Sequence, residues 1–353
     1  MEKGINQRKT EHIRLCLTDN VEGVGKSTGL EGISFLHNAL PEINFDDIDL
    51  TARFLDKPLN APFLVSSMTG GSEMAAEINQ NLGAAAEEKG WAVALGSTRA
   101  LLESDAHKKS FLIRRQAPHV PIIANLGAVQ LNYGYGAEEA QQIVDKTEAD
   151  SLVLHLNSLQ EAVQDGGDLN FENLLPKIEK IAESLDVPVG VKEVGFGIDG
   201  KVAQQLYNAG ISYIDVAGAG GTSWSQVEKL RSRDPLKKAA AEAFNNWGLP
   251  TKDCLVSVRS RLPNVPLVAS GGMKSGVDAA KAVTIGADII GFARQLLQAA
   301  TESDEAVAQV MEQIELEMKM AMFGIGVKNL QELKNTDRVN VMGRSLMEEM
   351  SDD

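Results

Sequence analysis

The chain has 353 residues, 43% of them apolar and 24% charged, with a net charge of −15 and a pI of about 4.9. That provides a core large enough for one barrel with extensions or for two smaller domains, and a field that repels nucleic acid and anionic membranes. An anionic ligand therefore has to be gripped by a local cluster of donors.

The first 60 residues read as an extension. They open M-E-K-G-I-N-Q-R-K-T-E-H, without the apolar core of a signal peptide. The basic pair Arg8 and Lys9 would on its own be a solvated tail, and the glycine-rich stretch 21–32 a flexible loop. From residue 60 onward, eight short apolar runs follow at 63–67, 91–95, 121–125, 151–156, 188–192, 213–216, 266–269 and 288–292. Most are continuous rather than alternating, as in strands buried on both faces of a parallel sheet. Helical patterns lie between them, at 73–89, 138–146, 171–185, 201–209 and 275–285. Eight strands with intervening helices predict an α/β fold, the (β/α)8 TIM barrel, at 61–300; a doubly wound sheet is the alternative. Residues 223–250, after the sixth strand, form a lid-like insertion. A C-terminal helical segment, 301–353, carries a long helix at 304–323 whose Met311, Met318, Met320 and Met322 are expected to pack on the barrel. Cys16 and Cys254 provide no disulfide framework and read as free thiols in a reducing compartment. No apolar run nears 18 residues. The expected location is cytoplasmic.

In such a barrel, chemistry sits where the strands end. The runs end S-S-M-T-G-G (66–71), G-S-T-R (96–99), N-L-G (125–127), H-L-N-S-L-Q-E (155–161), K-E-V-G-F-G (192–197), G-A-G-G-T-S-W (218–224), S-G-G-M (270–273) and G-F-A-R (291–294). Each is weak alone, but the strand ends converge in space. Loops after the seventh and eighth strands often hold a phosphate, where Gly271 and Gly272 let backbone N–H groups approach and Arg294 could cap the anion. Lys192, inside an apolar strand, needs an anionic or electron-rich partner. It is a structural ion pair, a Schiff-base lysine, or a cation at the edge of a flavin ring, with Thr69, Ser97, Asn125 and Thr222 as hydrogen-bonding neighbours. Glu161 beside Asn157 and Gln160 is either a hard oxygen ligand for Mg²⁺ or a first-turn glutamate favoured by the helix dipole. His155 is a core histidine or faces a ligand with them.

Taken together, R-K-T-E-H-I (8–13), S-M-T-G-G, G-S-T-R, A-N-L-G, H-L-N-S-L-Q-E, V-K-E-V-G-F-G, G-G-T-S-W, A-S-G-G and F-A-R resemble the type 2, FMN-dependent isopentenyl-diphosphate isomerases over most of the chain. The resemblance implies FMN, Mg²⁺, reduction by NADPH, and a homotetramer or octamer. It implies substrate contacts from Arg8, Lys9, Ser97, Thr98, Arg99, His155, Asn157 and Gln160, with Glu161 as the metal ligand. Cofactor contacts fall on Met68, Thr69, Gly70, Ser97, Asn125, Lys192, Thr222, Gly271, Gly272, Ala293 and Arg294. The implied reaction is acid–base without net redox: a proton is added to the double bond of isopentenyl diphosphate and another is removed to give dimethylallyl diphosphate. N5 of the reduced flavin is the implied proton carrier, and Gln160 and Lys192 have supporting roles. Three rivals stand beside this reading. An FMN α-hydroxyacid oxidase needs a His–Arg pair where V-R-S-R-L-P-N-V-P-L-V-A-S-G-G has no histidine. A class I aldolase would use Lys192 covalently. A flavin-binding sensor would bind FMN without turnover.

Overall fold

The computed structural model describes residues 2–341. Residues 342–353, the end of the expected C-terminal segment, lie outside the described residues. In chain order the elements are α1 (Glu2–Thr18), β1 (Ile33–Phe35), a hairpin of β2 (Ala52–Phe54) and β3 (Lys57–Leu59), β4 (Phe63–Val65), α2 (Glu73–Lys89), β5 (Ala92–Ala94), α3 (Arg99–Glu103), β6 (Ile122–Gly127), α4 (Ala137–Thr147), β7 (Ser151–His155), α5 (Ser158–Val163), α6 (Leu174–Ser184), β8 (Val189–Lys192), α7 (Gly200–Asn208), β9 (Tyr213–Asp215), α8 (Trp224–Arg231), α9 (Pro235–Ala241), α10 (Thr251–Arg261), β10 (Leu267–Ala269), α11 (Gly276–Thr284), β11 (Ile289–Phe292), α12 (Arg294–Ala300), α13 (Asp304–Ile325), α14 (Leu330–Lys334) and β12 (Val339–Val341). Strands β4 to β11 close into an eight-stranded parallel barrel. The α/β barrel expected from the eight apolar runs is the observed fold, and the doubly wound sheet is excluded by closure.

The continuous apolar runs arise because both strand faces are buried. Outward side chains such as Phe63, Val65, Ile122, Leu152, Val191, Ile214 and Phe292 pack against the helices. Inward ones, Leu64, Ala92, Ile123, Val153, Tyr213, Val268 and Ile289, form a separate cluster with Phe54 and Leu59 of the β2–β3 hairpin, which plugs the barrel floor. Each large side chain buried this way stabilises the fold by about 1.5–3 kcal/mol. Side chains alternate along a strand, so the next inward positions fall two residues further on. They are Ser66, Ala94, Asn125, His155, Lys192, Asp215, Ser270 and Gly291. The interior thus changes from apolar to largely polar in one step, at the C-terminal mouth.

The flanking segments depart from expectation in three ways. Residues 2–18 are a helix rather than a tail, with Ile13 buried against the barrel core. The 21–32 stretch is tied to the barrel top, the Val21 carbonyl accepting from Ser223 N–H and the Thr28 carbonyl from Lys252 N–H. The C-terminal segment is not wholly helical, since β12 pairs antiparallel with β1. Met311, Met318 and Met322 of α13 are buried as expected, whereas Met320 faces solvent. Among the described residues, no helix is long and apolar enough to cross a membrane.

Candidate active site

A cleft opens over the barrel mouth as three adjoining cavities of about 280, 120 and 90 Å³ that share Ser67. One wall comes from α1. Helical spacing places Arg8 and His12 on one side and Lys9, Ile13 and Cys16 on the next, and all five line the cleft. The opposite wall is α8 of the insertion, which contributes Trp224. His12 joins the two walls: its Nε2 lies 2.9 Å from Glu228 Oε1 of α8 and its ring meets Trp224 edge-on at 5.0 Å. Glu228 also accepts from Arg231 Nη1 at 2.5 Å and from Gln160 Nε2 at 3.2 Å. Burial pushes the His12 pKa down to about 4 despite Glu228, so the neutral ring donates to the carboxylate. Burial acts to raise Glu228, but the bonds from His12 and Gln160 and the charge of Arg231 outweigh it and hold its pKa low.

The largest of the three collects Arg8, Lys9, Ser97, Arg99, Asn125, His155, Asn157, Gln160, Glu161 and Lys192 around one space. Its cations are poised for an anion. Lys9 is pushed down to about 8, first by burial and then by Arg8, and Nε of Arg8 is buried without a partner. Arg99 is already engaged, donating to Glu103 at 2.7 Å and to Asp168 at 3.0 Å. His155 Nδ1 lies 2.7 Å from Asn125 Oδ1; with that oxygen as acceptor the ring proton sits on Nδ1. Burial, then Lys192 and Lys9, press its pKa down to about 3, which keeps it neutral. Glu161 accepts from Asn157 Nδ2 at 2.9 Å, Gln164 Nε2 at 3.1 Å and the Asp168 N–H at 2.8 Å. Desolvation nevertheless raises its pKa, the state of a carboxylate short of a cation. Beside it, Asn157 Oδ1 and Gln130 Oε1 are buried oxygens without partners. This is a hard-oxygen set of the kind Mg²⁺ takes together with ligand oxygens and waters. Among the described residues, no group of three His, Cys, Asp or Glu side chains forms a protein-only metal cage.

The other two cavities take the expected cofactor residues. Lys192, Thr222, Gly271, Gly272, Ala293 and Arg294 line one, and Met68 and Thr69 join Thr222, Ala293 and Arg294 in the other. Gly271 and Gly272 have φ of 94° and 76°, a left-handed pair suited to turning backbone N–H groups toward an anion. The hydroxyls of Ser66, Ser67 and Thr69 are buried without partners. Unpaired buried hydroxyls are costly, and these three face the cavities that a flavin would fill. The residues present therefore fit the group.

The geometry gives three of the expected contact residues other partners. Thr98 is fully buried and its hydroxyl donates to the Asn125 carbonyl at 2.7 Å, so its side chain braces Asn125 instead of reaching the cleft. Gly70 backs onto the Phe111 ring: a Cβ there would sit 2.1 Å from Phe111 Cε1, so only glycine fits at this position. Arg294 lines the cleft, but its guanidinium donates to the Cys16 and Asp19 carbonyls at 3.2 Å and to Glu22 at 3.3 Å, clasping the end of α1. Sequence reasoning also passed over His12, Gln130, Asp168, Asp215, Glu228 and the Ser66–Ser67 pair. Period-two counting from Leu64 and Tyr213 would have found Ser66 and Asp215, and Glu228 stands one helical turn from Trp224. Gln130 sits in a short 3-10 turn and Asp168 in a loop, and neither carries such a signal.

The comparisons agree with this geometry. Residues 129–340 match the family model described as FMN-dependent dehydrogenase. The chain is 77% identical over 348 residues to the isopentenyl-diphosphate delta-isomerase of Oceanobacillus iheyensis, covering 99% of this chain and 100% of that one. It is 48% identical over 329 residues to the protein of that name from Nostoc sp., covering 93% and 94%. Solved structures share the fold at low identity. An (S)-mandelate dehydrogenase superposes with a TM-score of 0.64 at 16% identity, covering 96% of this chain and 99% of that one. A flavocytochrome b2 does so with 0.65 at 16%, covering 92% and 82%.

Proposed function

Because the chain belongs to the isopentenyl-diphosphate delta-isomerases and to the FMN-dependent dehydrogenase family, we propose that it interconverts isopentenyl and dimethylallyl diphosphate at this cleft. The observation that carries the reading is the polar layer at the barrel mouth: buried Lys192 and half-buried His155, with the unpartnered Ser66, Ser67 and Thr69 hydroxyls beside them. Met68, Thr69, Ser97, Asn125, Lys192, Thr222, Gly271, Gly272, Ala293 and Arg294 are the residues that would hold FMN. When bound and reduced, FMN supplies proton-transfer chemistry through N5.

The chain's own residues bind, orient and exclude water. Arg8 and Lys9 grip the diphosphate from α1, with Ser97 and Arg99 below them. Glu161, helped by Asn157, would hold Mg²⁺, which would supply positive charge for the diphosphate. These contacts offset the charge of the diphosphate and fix its position over the barrel mouth. Gln160, pinned to Glu228, orients the substrate. Neutral His155 adds no charge beside the reacting double bond. Lys192 provides a fixed cation on the cleft floor, where electrostatic preorganisation is worth far more than in water. NADPH as reductant, a cytoplasmic location and assembly into a homotetramer or octamer complete the proposal.

Anaerobic reduction with FMN and Mg²⁺ present should yield dimethylallyl from isopentenyl diphosphate; no conversion overturns the assignment. Borohydride trapping of substrate on Lys192 would favour an aldolase instead. Glu161→Gln should lower turnover about 100-fold or more and flatten its Mg²⁺ dependence while FMN still binds. An unchanged Mg²⁺ titration would remove Glu161 as the ligand.

A further inference from the structure

We infer that Asp215, held by Ser270, is a positioning residue that keeps Lys192 protonated at the floor of the cleft. The placement follows from strand register. Strands β8 and β9 run parallel with Lys192 opposite Asp215, and both side chains enter the top interior layer of the barrel. All three members are buried: Lys192 is 8% exposed, Asp215 4% and Ser270 4%. Asp215 Oδ1 accepts from Ser270 Oγ at 2.6 Å and from the Ala217 N–H at 3.3 Å. Burial raises the Asp215 pKa, while Lys192 and these two donors oppose it, fixing the carboxylate and favouring its ionised form.

A buried ammonium tends to lose its proton unless an opposite charge is near. The groups around Lys192 single out Asp215. Glu193, next on the same strand, has its carboxylate bound by the N–H groups of Val194, Gly195, Phe196 and Gly197, and offers Lys192 its backbone carbonyl. His155 on β7 is neutral, and Lys9 on α1 is a like charge. Tyr213, below on β9, is a protonated phenol bonded to Ser151. Among the charges that raise the Lys192 pKa against its burial, Asp215 acts most strongly and Glu193 second. Asp215 does not line the cleft cavities, so it acts through Lys192. Ser270 borders one of the cavities from the barrel interior, with its hydroxyl turned to Asp215.

The inference rests on the flavin reading, and the test separates the two. The FMN-loaded protein is titrated for its flavin midpoint potential across pH 6–11, as wild type and as Asp215→Asn, Ser270→Ala, Lys192→Arg and the Asp215→Asn/Lys192→Arg double variant. Wild type should show a break where Lys192 loses its proton. Asp215→Asn should move that break to lower pH by about one unit or more, a tenfold loss of proton affinity. Ser270→Ala, which keeps the carboxylate but removes its donor, should move it less in the same direction. Lys192→Arg should abolish the break, and Asp215→Asn should then add no shift. An unmoved break in Asp215→Asn, or in Ser270→Ala where the former does not fold, overturns the role of Asp215. An equal effect of Asp215→Asn in the Lys192→Arg background also overturns it, since Asp215 would then act on the flavin directly. Failure of the wild type to bind FMN instead overturns the flavin reading, and the inference with it.

Discussion

Lys9 shows how one residue carries a pH signature. Burial and the neighbouring Arg8 lower its pKa to about 8, with Glu228 and Glu161 opposing them. Below that pH the ammonium is present to meet a diphosphate; above it, the free enzyme holds a neutral amine and binding has to recapture a proton. Affinity should therefore be fully developed below about pH 7 and fall as pH rises through 8, appearing as an alkaline limb in kcat/KM. In Lys9→Arg that limb should vanish while binding persists, because guanidinium stays charged throughout. A limb at the same pH in Lys9→Arg would assign it to another group. Lys9→Ala should raise KM about 10-fold or more, the scale of one lost charge-assisted hydrogen bond.

At the scale of elements, the active site depends on two that the barrel does not supply, α1 and α8. Their junction is the His12–Glu228–Gln160 set, which also reaches the end of β7. Glu228→Ala should unpin α1, leave His12 buried without its acceptor and free Gln160, raising KM for the diphosphate substrate at least 10-fold while FMN affinity changes little. Faster amide exchange confined to α1 and α8 would confirm the cause; an equal loss of FMN binding would point to general damage. These elements also mark the limit of what could be read in the sequence. The eight strands were legible because each is apolar on both faces, and α2 because Ser72 caps it and Gly90 ends it in a left-handed turn. The H-L-N-S-L-Q-E cluster was legible because a strand pattern stops there. Residues 2–18 were not, since K-G-I-N-Q-R-K-T-E-H-I-R shows a narrow apolar stripe and its partner surface, the barrel mouth, exists only after folding. Arg294 has a second role that spacing does not show: tertiary packing brings the carbonyls of Cys16 and Asp19 to its guanidinium.

For the whole molecule, a polar layer inside the barrel makes stability depend on pH. His12 and His155 have folded-state pKa values of about 4 and about 3, against about 6.5 when unfolded. Below pH 6.5 the unfolded chain takes up protons that the folded one refuses. Stability present above pH 6.5 is therefore lost progressively as pH falls toward 4 and 3. The loss is a few kcal/mol for each histidine, on the order of 1.4 kcal/mol for every pH unit that separates its folded and unfolded values. Glu193 works in the other direction. Burial raises it to about 7 in spite of its four N–H donors, so its contribution is fully present below about pH 4.5 and is lost as pH rises through 7. The two effects oppose each other between pH 4.5 and 6.5, with the histidines dominant because there are two of them and His155 is displaced further. Thermal midpoints measured from pH 6.5 to 4 should fall, and His155→Gln, which keeps a neutral side chain able to donate to Asn125, should remove most of that slope. A slope unchanged in His155→Gln would place the acid sensitivity outside the barrel interior. Bound FMN should raise the midpoint at every pH by mass action, without removing the slope that the buried histidines impose.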